Sequence, residues 1–191
     1  MNDHQPHECM NVVALVWGVA QLDNIVYVVS AYLIKMYSAD TLSPLGQGIH
    51  VDGMGNPNDM VACRDDRQLY ISDQDNYIWR VSADDHSYAM WRPTESTSGA
   101  LCVWTLSLTS RRLLVTPHSG SLHEYSTTDR RLLRVVQLPG YMKELHHGVE
   151  TTRGTFVVCH RGTPRSEWPS AVSLNFVTFD NNLRCLFNIL H

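Results

Sequence analysis

Apolar and polar residues alternate along most of this chain in short bursts, each cut off by a polar turn. The stretch QLYISDQDNYIWRVSADD (Gln68 to Asp85) alternates, breaks at DQDN and alternates again. Period-two alternation over four to eight residues, bounded by Asp, Asn, Ser and Gly, predicts half-buried β-strands. No segment carries the i, i+3, i+4, i+7 stripe of an amphipathic helix, so the pattern predicts an all-β chain.

The bursts recur. IVYVVS centres on Tyr27, QLYISD on Tyr70, RLLVTP on Leu114 and GTFVVCH on Phe156, at intervals of 43, 44 and 42 residues. Each centre follows another apolar stretch (VWGVAQL, NDMVAC, VWTLSL, HGVETT) across a short polar turn, and further strand-like stretches come after it. Strand-rich units of about 40–45 residues in tandem are the mark of β-propeller blades, which bury their faces only by stacking on one another. The chain therefore divides into a tail over 1–11 and a repeat segment over 12–191, with blades near 12–55, 56–99, 100–143 and 144–191. Trp17, Trp79, Trp91 and Trp104 fall on strands and are expected to pack between blades.

The stretch NPNDMVACRDDRQLYISDQDNYIWRVS (Asn56 to Ser82) resembles the NHL repeat. Pro57, Asp59, Tyr70, Ser72, Asp73, Asn76, Ile78, Arg80 and Val81 occupy that repeat's characteristic places. The third and fourth copies keep the skeleton without the Asp after the second strand, and the first lacks Pro-x-Asp. The resemblance implies a six-bladed ring as the parent form. Four units of this length make an open or incomplete arc of such a ring, preferred here over a closed four-bladed one. An arc leaves two blade flanks open to self-association. Domains of this family often select substrates for tripartite-motif ubiquitin ligases, and the chain carries no RING or B-box cysteine–histidine pattern of its own.

In a propeller the loops before strand one and between strands two and three share the top face. The expected top-face binding residues are Asp59, Asp73, Asp75, His118, His147, His160, Arg161, Arg165 and Trp168. The last two belong to RGTPRSEWPS (Arg161 to Ser170), an insertion of about ten residues that lengthens the fourth unit. A proline-flanked tryptophan on such a loop suits an interface anchor, because little rotamer freedom is lost on binding.

Four further chemistries have candidate residues in the chain. His118, His147 and His160 are candidate metal ligands near the rim, with Asp59 as a fourth, but no HExxH-type spacing supports them. Asp59 and Glu150 are candidate acids, with Asp59 more naturally accepting backbone N–H bonds. Arg111, Arg112, Arg130, Arg131 and Arg134 form a basic run near the third unit without interleaved aromatics for stacking on bases. GQG and GMG (46–48 and 53–55) read as turns, since neither opens a helix.

Composition narrows the classes. The 191 residues are 43% hydrophobic and 18% charged, with a net charge of −4. Mild acidity gives no global pull toward nucleic acid or anionic membrane. Five scattered cysteines without a CxxC pair argue against a zinc ribbon and for reduced thiols in the cytoplasm. NVVALVWGVA (Asn11 to Ala20) is too short to span a bilayer. The expectation is a non-catalytic, cofactor-free scaffold that binds a protein partner through its top loops and has no membrane partner. A metal-dependent lyase or hydrolase at the channel mouth is the first alternative and RNA binding the second.

Overall fold

Every polar turn that the pattern marks between paired strands reverses the chain, so each strand hydrogen-bonds the one before it. The computed structural model describes residues 15–95, 99–100, 103–109, 111–117, 120–140, 142–161, 174–179 and 185–189, of which 94–95, 99–100, 143–144, 161, 174–179 and 185–189 by backbone alone. Sheet 1 holds β1 (Gly18–Leu22), β2 (Ile25–Ser30), β3 (Leu33–Ser38) and β4 (Ile49–His50). Sheet 2 holds β5 (Pro57–Cys63), β6 (Gln68–Asp73), β7 (Ile78–Ser82) and β8 (Tyr88–Trp91). A two-stranded ribbon, β9 (Thr94–Glu95) with β10 (Gly99–Ala100), leads into sheet 3. Sheet 3 holds β11 (Val103–Thr109), β12 (Arg112–Pro117), β13 (Ser121–Ser126) and β14 (Leu132–Gln137). Sheet 4 holds β15 (Lys143–Glu150), β16 (Phe156–Arg161), β17 (Leu174–Phe179) and β18 (Cys185–Ile189). All pairings within the sheets are antiparallel, and no helix occurs among the described residues.

The repeat extends to individual hydrogen bonds. Ser38, Ser82 and Ser126 stand 44 residues apart, each closing the third strand of its sheet. In each case the serine N–H donates to a carbonyl five residues on, that of Ser43, Ser87 or Arg131. The hydroxyls of Ser82 and Ser126 also accept two backbone N–H groups of the turn, as short polar side chains do where a strand ends. The turn is tied to the first turn of its own sheet by Ala39 N–H to Asn24 O, Ala83 N–H to Arg67 O and Thr127 N–H to Arg111 O. One end of each of these three sheets is thus built by one recurring device.

The sheets pack in series. β1 lies against β5, β5 against β11 and β11 against β15. Comparable packing does not join β15 to β1 among the described residues. Between sheets 1 and 2 lie Leu22, Tyr27, Val29 and Ile34 against Met60, Leu69, Ile71 and Trp79. Tyr70 and Ile78 meet Leu106, Leu113 and Val115 between sheets 2 and 3. Leu114 and Leu122 meet Leu145, Phe156 and Val158 between sheets 3 and 4. Each such side chain removed from water contributes about 1.5–3 kcal/mol. Gly18 permits the closest approach: a Cβ there would sit 2.7 Å from the Met60 nitrogen.

Two expectations need correction. Tyr27, Tyr70 and Leu114 each face the following sheet, but Phe156 faces back toward sheet 3. In sheet 4, Thr151 and Thr155 add one more pair to the first hairpin: Thr151 N–H donates to Thr155 O at 2.7 Å and their hydroxyls lie 2.6 Å apart. A slip of one residue exchanges the two faces of a strand, so Val157 holds the place that Phe156 was expected to hold. Trp17 precedes β1 rather than lying on it and is 39% exposed, whereas Trp79 is buried.

Candidate functional site

The first strand of each sheet is an edge strand, with a row of backbone groups that its own sheet leaves unpaired. The preceding sheet supplies partners. Alternate residues of a strand point the same way, so the hydroxyls of TLSLT aim together at β15. Thr105, Ser107 and Thr109 donate to the carbonyls of His146, Gly148 and Glu150 at 2.9, 2.8 and 3.5 Å. Sheet 2 treats β11 similarly. Asn58 Nδ2 donates to Val103 O at 3.1 Å and Ser72 Oγ to Trp104 O at 3.0 Å. These bonds fix the spacing of the first strands.

Those strands bound an open cleft of about 420 Å³. Val19 and Gln21 of β1, Asp59 and Met60 of β5, Leu106 of β11 and His147 of β15 line it. Asp59 sits at a register shift in β5. Its Oδ1 accepts the Met60 N–H at 2.8 Å and its Oδ2 the Leu106 N–H at 2.9 Å, which joins sheet 2 to sheet 3. This is the backbone-accepting role expected of it. Burial pushes the Asp59 carboxyl above its ordinary value, while the two N–H bonds and His147 pull it down. His147 Nδ1 stands 4.0 Å from Asp59 Oδ2, with both side chains partly open to the cleft. The cleft therefore offers a small apolar wall and one acid–imidazole pair, which suits the grip of a polar group beside an apolar one.

The other expected site residues separate. Asp73 is fully buried, and three donors converge on it: Asp75 N–H at 3.0 Å, Tyr77 N–H at 2.9 Å and Trp79 Nε1–H at 2.6 Å. It builds the β6–β7 turn and presents nothing to a partner, which corrects its expected binding role. Asp75 is exposed at that turn beside Gly55 and Arg92, whose guanidinium donates to the Asp75 carbonyl. His147 pairs in register with Cys159, so the next residue, His160, lies on the opposite face of sheet 4 and is buried. His147 and His160 thus do not converge on a metal. Among the described residues no three His, Cys, Asp or Glu side chains come together as a metal site. Arg161 is placed by its backbone, opposite Lys143. His118, Arg165 and Trp168, with the insertion beyond Arg161, lie outside the described residues.

Sequence reasoning missed a cluster between sheets 3 and 4. Glu124 of β13 and Glu150 of β15, both nearly buried, share Arg112 of β12 and Arg134 of β14. The Arg134 guanidinium also lies 5.1 Å from the Phe156 ring centre. Burial pushes the Glu150 carboxyl up, Arg112 draws it down and Glu124 pushes it up again. The basic run loses much of its reach as a result. Arg112 and Arg134 are internally paired, Arg131 lies 3.6 Å from Asp129, and Arg130 stacks on Trp91. No local spacing announces the Glu–Arg cluster, whereas the alternating hydroxyls of TLSLT were a readable signal.

No family model matches the chain, and no curated protein matches it. Among the described residues no helix is long and apolar enough to cross a membrane.

Proposed function

We propose that the chain is an arc of an NHL-like β-propeller, acting as a non-catalytic scaffold that binds a protein partner at the end of the sheets carrying Asp75 and the mouth of the cleft. The observation that carries this reading is the serial seating of first strand on first strand, with side chains of one sheet capping the backbone edge of the next. Radial stacking of that kind leaves hairpin loops gathered at two ends, and loops on a rigid frame are where binding concentrates. The resemblance of Asn56 to Ser82 to the NHL repeat supports the same reading. Tyr70, Ser72, Asp73 and Asn76 have structural work there: a buried ring, a bond to the next sheet, a turn acceptor and a left-handed turn residue. By that resemblance, the scaffold would select substrates for a ubiquitin ligase.

A scaffold fits the cleft better than an enzyme does, because both Asp59 oxygens already accept backbone N–H groups. The test compares proteins retained from cell lysate by the wild type, by Asp75→Lys with His147→Ala, and by Arg153→Glu at the opposite end. Loss of a partner in the first variant and retention in the second supports the scaffold. Identical retention by all three overturns the assigned face. One equivalent of zinc or copper in protein purified without chelator would favour the lyase or hydrolase, and salt-dependent capture of RNA would favour the RNA reading.

A further inference from the structure

We propose that the uncovered face of sheet 1 and the uncovered face of sheet 4 bind each other between two copies of this chain, head to tail. The inference goes beyond the loop-face reading and does not rest on it.

Register defines equivalent places in the sheets. Ala20 pairs with Tyr27, Val61 with Tyr70 and Ser107 with Leu114, all pointing toward the following sheet. One place along, Val19 pairs with Val28, Met60 with Ile71 and Leu106 with Val115, pointing toward the preceding sheet. Met60 and Leu106 are 2% and 0% exposed because a preceding sheet covers them; Val19, with no sheet before it among the described residues, is 58% exposed. Val26 and Val28 share that face and are half-buried, where their equivalents Leu69, Ile71, Leu113 and Val115 are buried. Trp17 and Gln21 extend the same uncovered surface.

Sheet 4 shows the converse. Its Val149–Val157 pair stands where the pairs of Tyr27, Tyr70 and Leu114 stand, and those three side chains are buried by a following sheet. Val149, Val157 and their neighbour Cys159 are only half-buried.

The occupant follows from continuity. Each internal contact joins a trailing face of one sheet to the leading face of the next, and the described sheets leave one face of each kind uncovered. A second copy supplies the complement of both. The contact is heterologous: the face of sheet 1 meets sheet 4, not another sheet 1.

Sedimentation equilibrium over a range of concentrations tests this with Val19→Glu and Val157→Glu. The wild type is expected to associate as concentration rises. Each variant alone carries a charge in the contact and is expected to associate about a hundredfold more weakly or worse. An equimolar mixture is expected to form a heterodimer that grows no further, because each variant keeps the face that the other lacks. Thermal melting of Val19→Glu close to wild type shows that the fold is kept, and Val149→Lys replaces Val157→Glu if that variant does not fold. A wild type that stays monomeric, a single variant that still associates strongly, or a mixture that stays monomeric overturns the proposal. The first of these outcomes means that something other than this chain covers the flanks.

Discussion

Asp73 was expected to face a partner, and the structure spends it inside the protein, so its replacement should cost stability. Its Oδ1 accepts two backbone N–H groups and its Oδ2 the indole N–H of Trp79 at 2.6 Å. Asp73→Asn keeps one oxygen for the turn but sets an amide N–H₂ against the indole N–H, donor facing donor. A buried donor left without its acceptor costs about 1–3 kcal/mol, and the stranded indole N–H is buried. The variant should therefore lose about 2 kcal/mol. For a chain of this size each kcal/mol moves the melting midpoint by about 2–4 °C, so a fall of about 4–8 °C is expected. Asp73→Ala strands all three donors and should cost about twice as much. The decisive assay is a double-mutant cycle by denaturant unfolding with Trp79→Phe, which removes the indole donor. In that background Asp73→Asn should cost less than about 1 kcal/mol. An equal cost in both backgrounds, or a negligible one in both, refutes the assignment.

Other substitutions probe the contacts between sheets. Ser107→Ala deprives the Gly148 carbonyl of its 2.8 Å donor in a buried place and should destabilise by about 1–2 kcal/mol, read from the denaturation midpoint. Gly18→Ala drives a Cβ against the Met60 backbone nitrogen and should cost about 1–3 kcal/mol, visible as a lower melting temperature. Burial holds the Glu150 carboxyl above its ordinary value in the fold, so the stability it lends is complete at acid pH and is lost as pH rises through that raised value. Glu150→Gln should abolish that part of the pH–stability slope. Asp85 has the opposite sign: its carboxyl is held down to about 2, first by Ser82 and then by Ser87, so its contribution is present at neutral pH and lost as pH falls. Ser87→Ala should flatten the acid limb of the pH–stability curve.

The sheets were legible because strands such as β1, β2, β8 and β14 alternate between more and less buried positions, so the core writes a period of two into them, and because one turn device repeats every 44 residues at Ser38, Ser82 and Ser126. Asp59 was legible for a similar reason: an acid at the start of an edge strand has backbone donors close by. Sheet 4 was misread because its added Thr151–Thr155 pair moves the face of β16 without disturbing its hydrophobic pattern; FVVC alternates poorly in either register. The inward turn of Asp73 depended on Trp79, six residues on and across a hairpin. The Glu124–Glu150–Arg112–Arg134 cluster joins three strands of one sheet to the first strand of the next, a contact that no spacing in the chain encodes.

The molecule is organised by serial packing, each sheet set against its chain neighbours. Methyl- and aromatic-labelled protein examined by nuclear Overhauser spectroscopy tests it most directly. Three sets of contacts are predicted: Tyr27 and Val29 with Leu69 and Ile71, Tyr70 with Leu113 and Val115, and Leu114 and Leu122 with Phe156 and Val158. Strong contacts from the Tyr27 face to sheet 3 or sheet 4, with those sets missing, would mean a sandwich and would contradict the account.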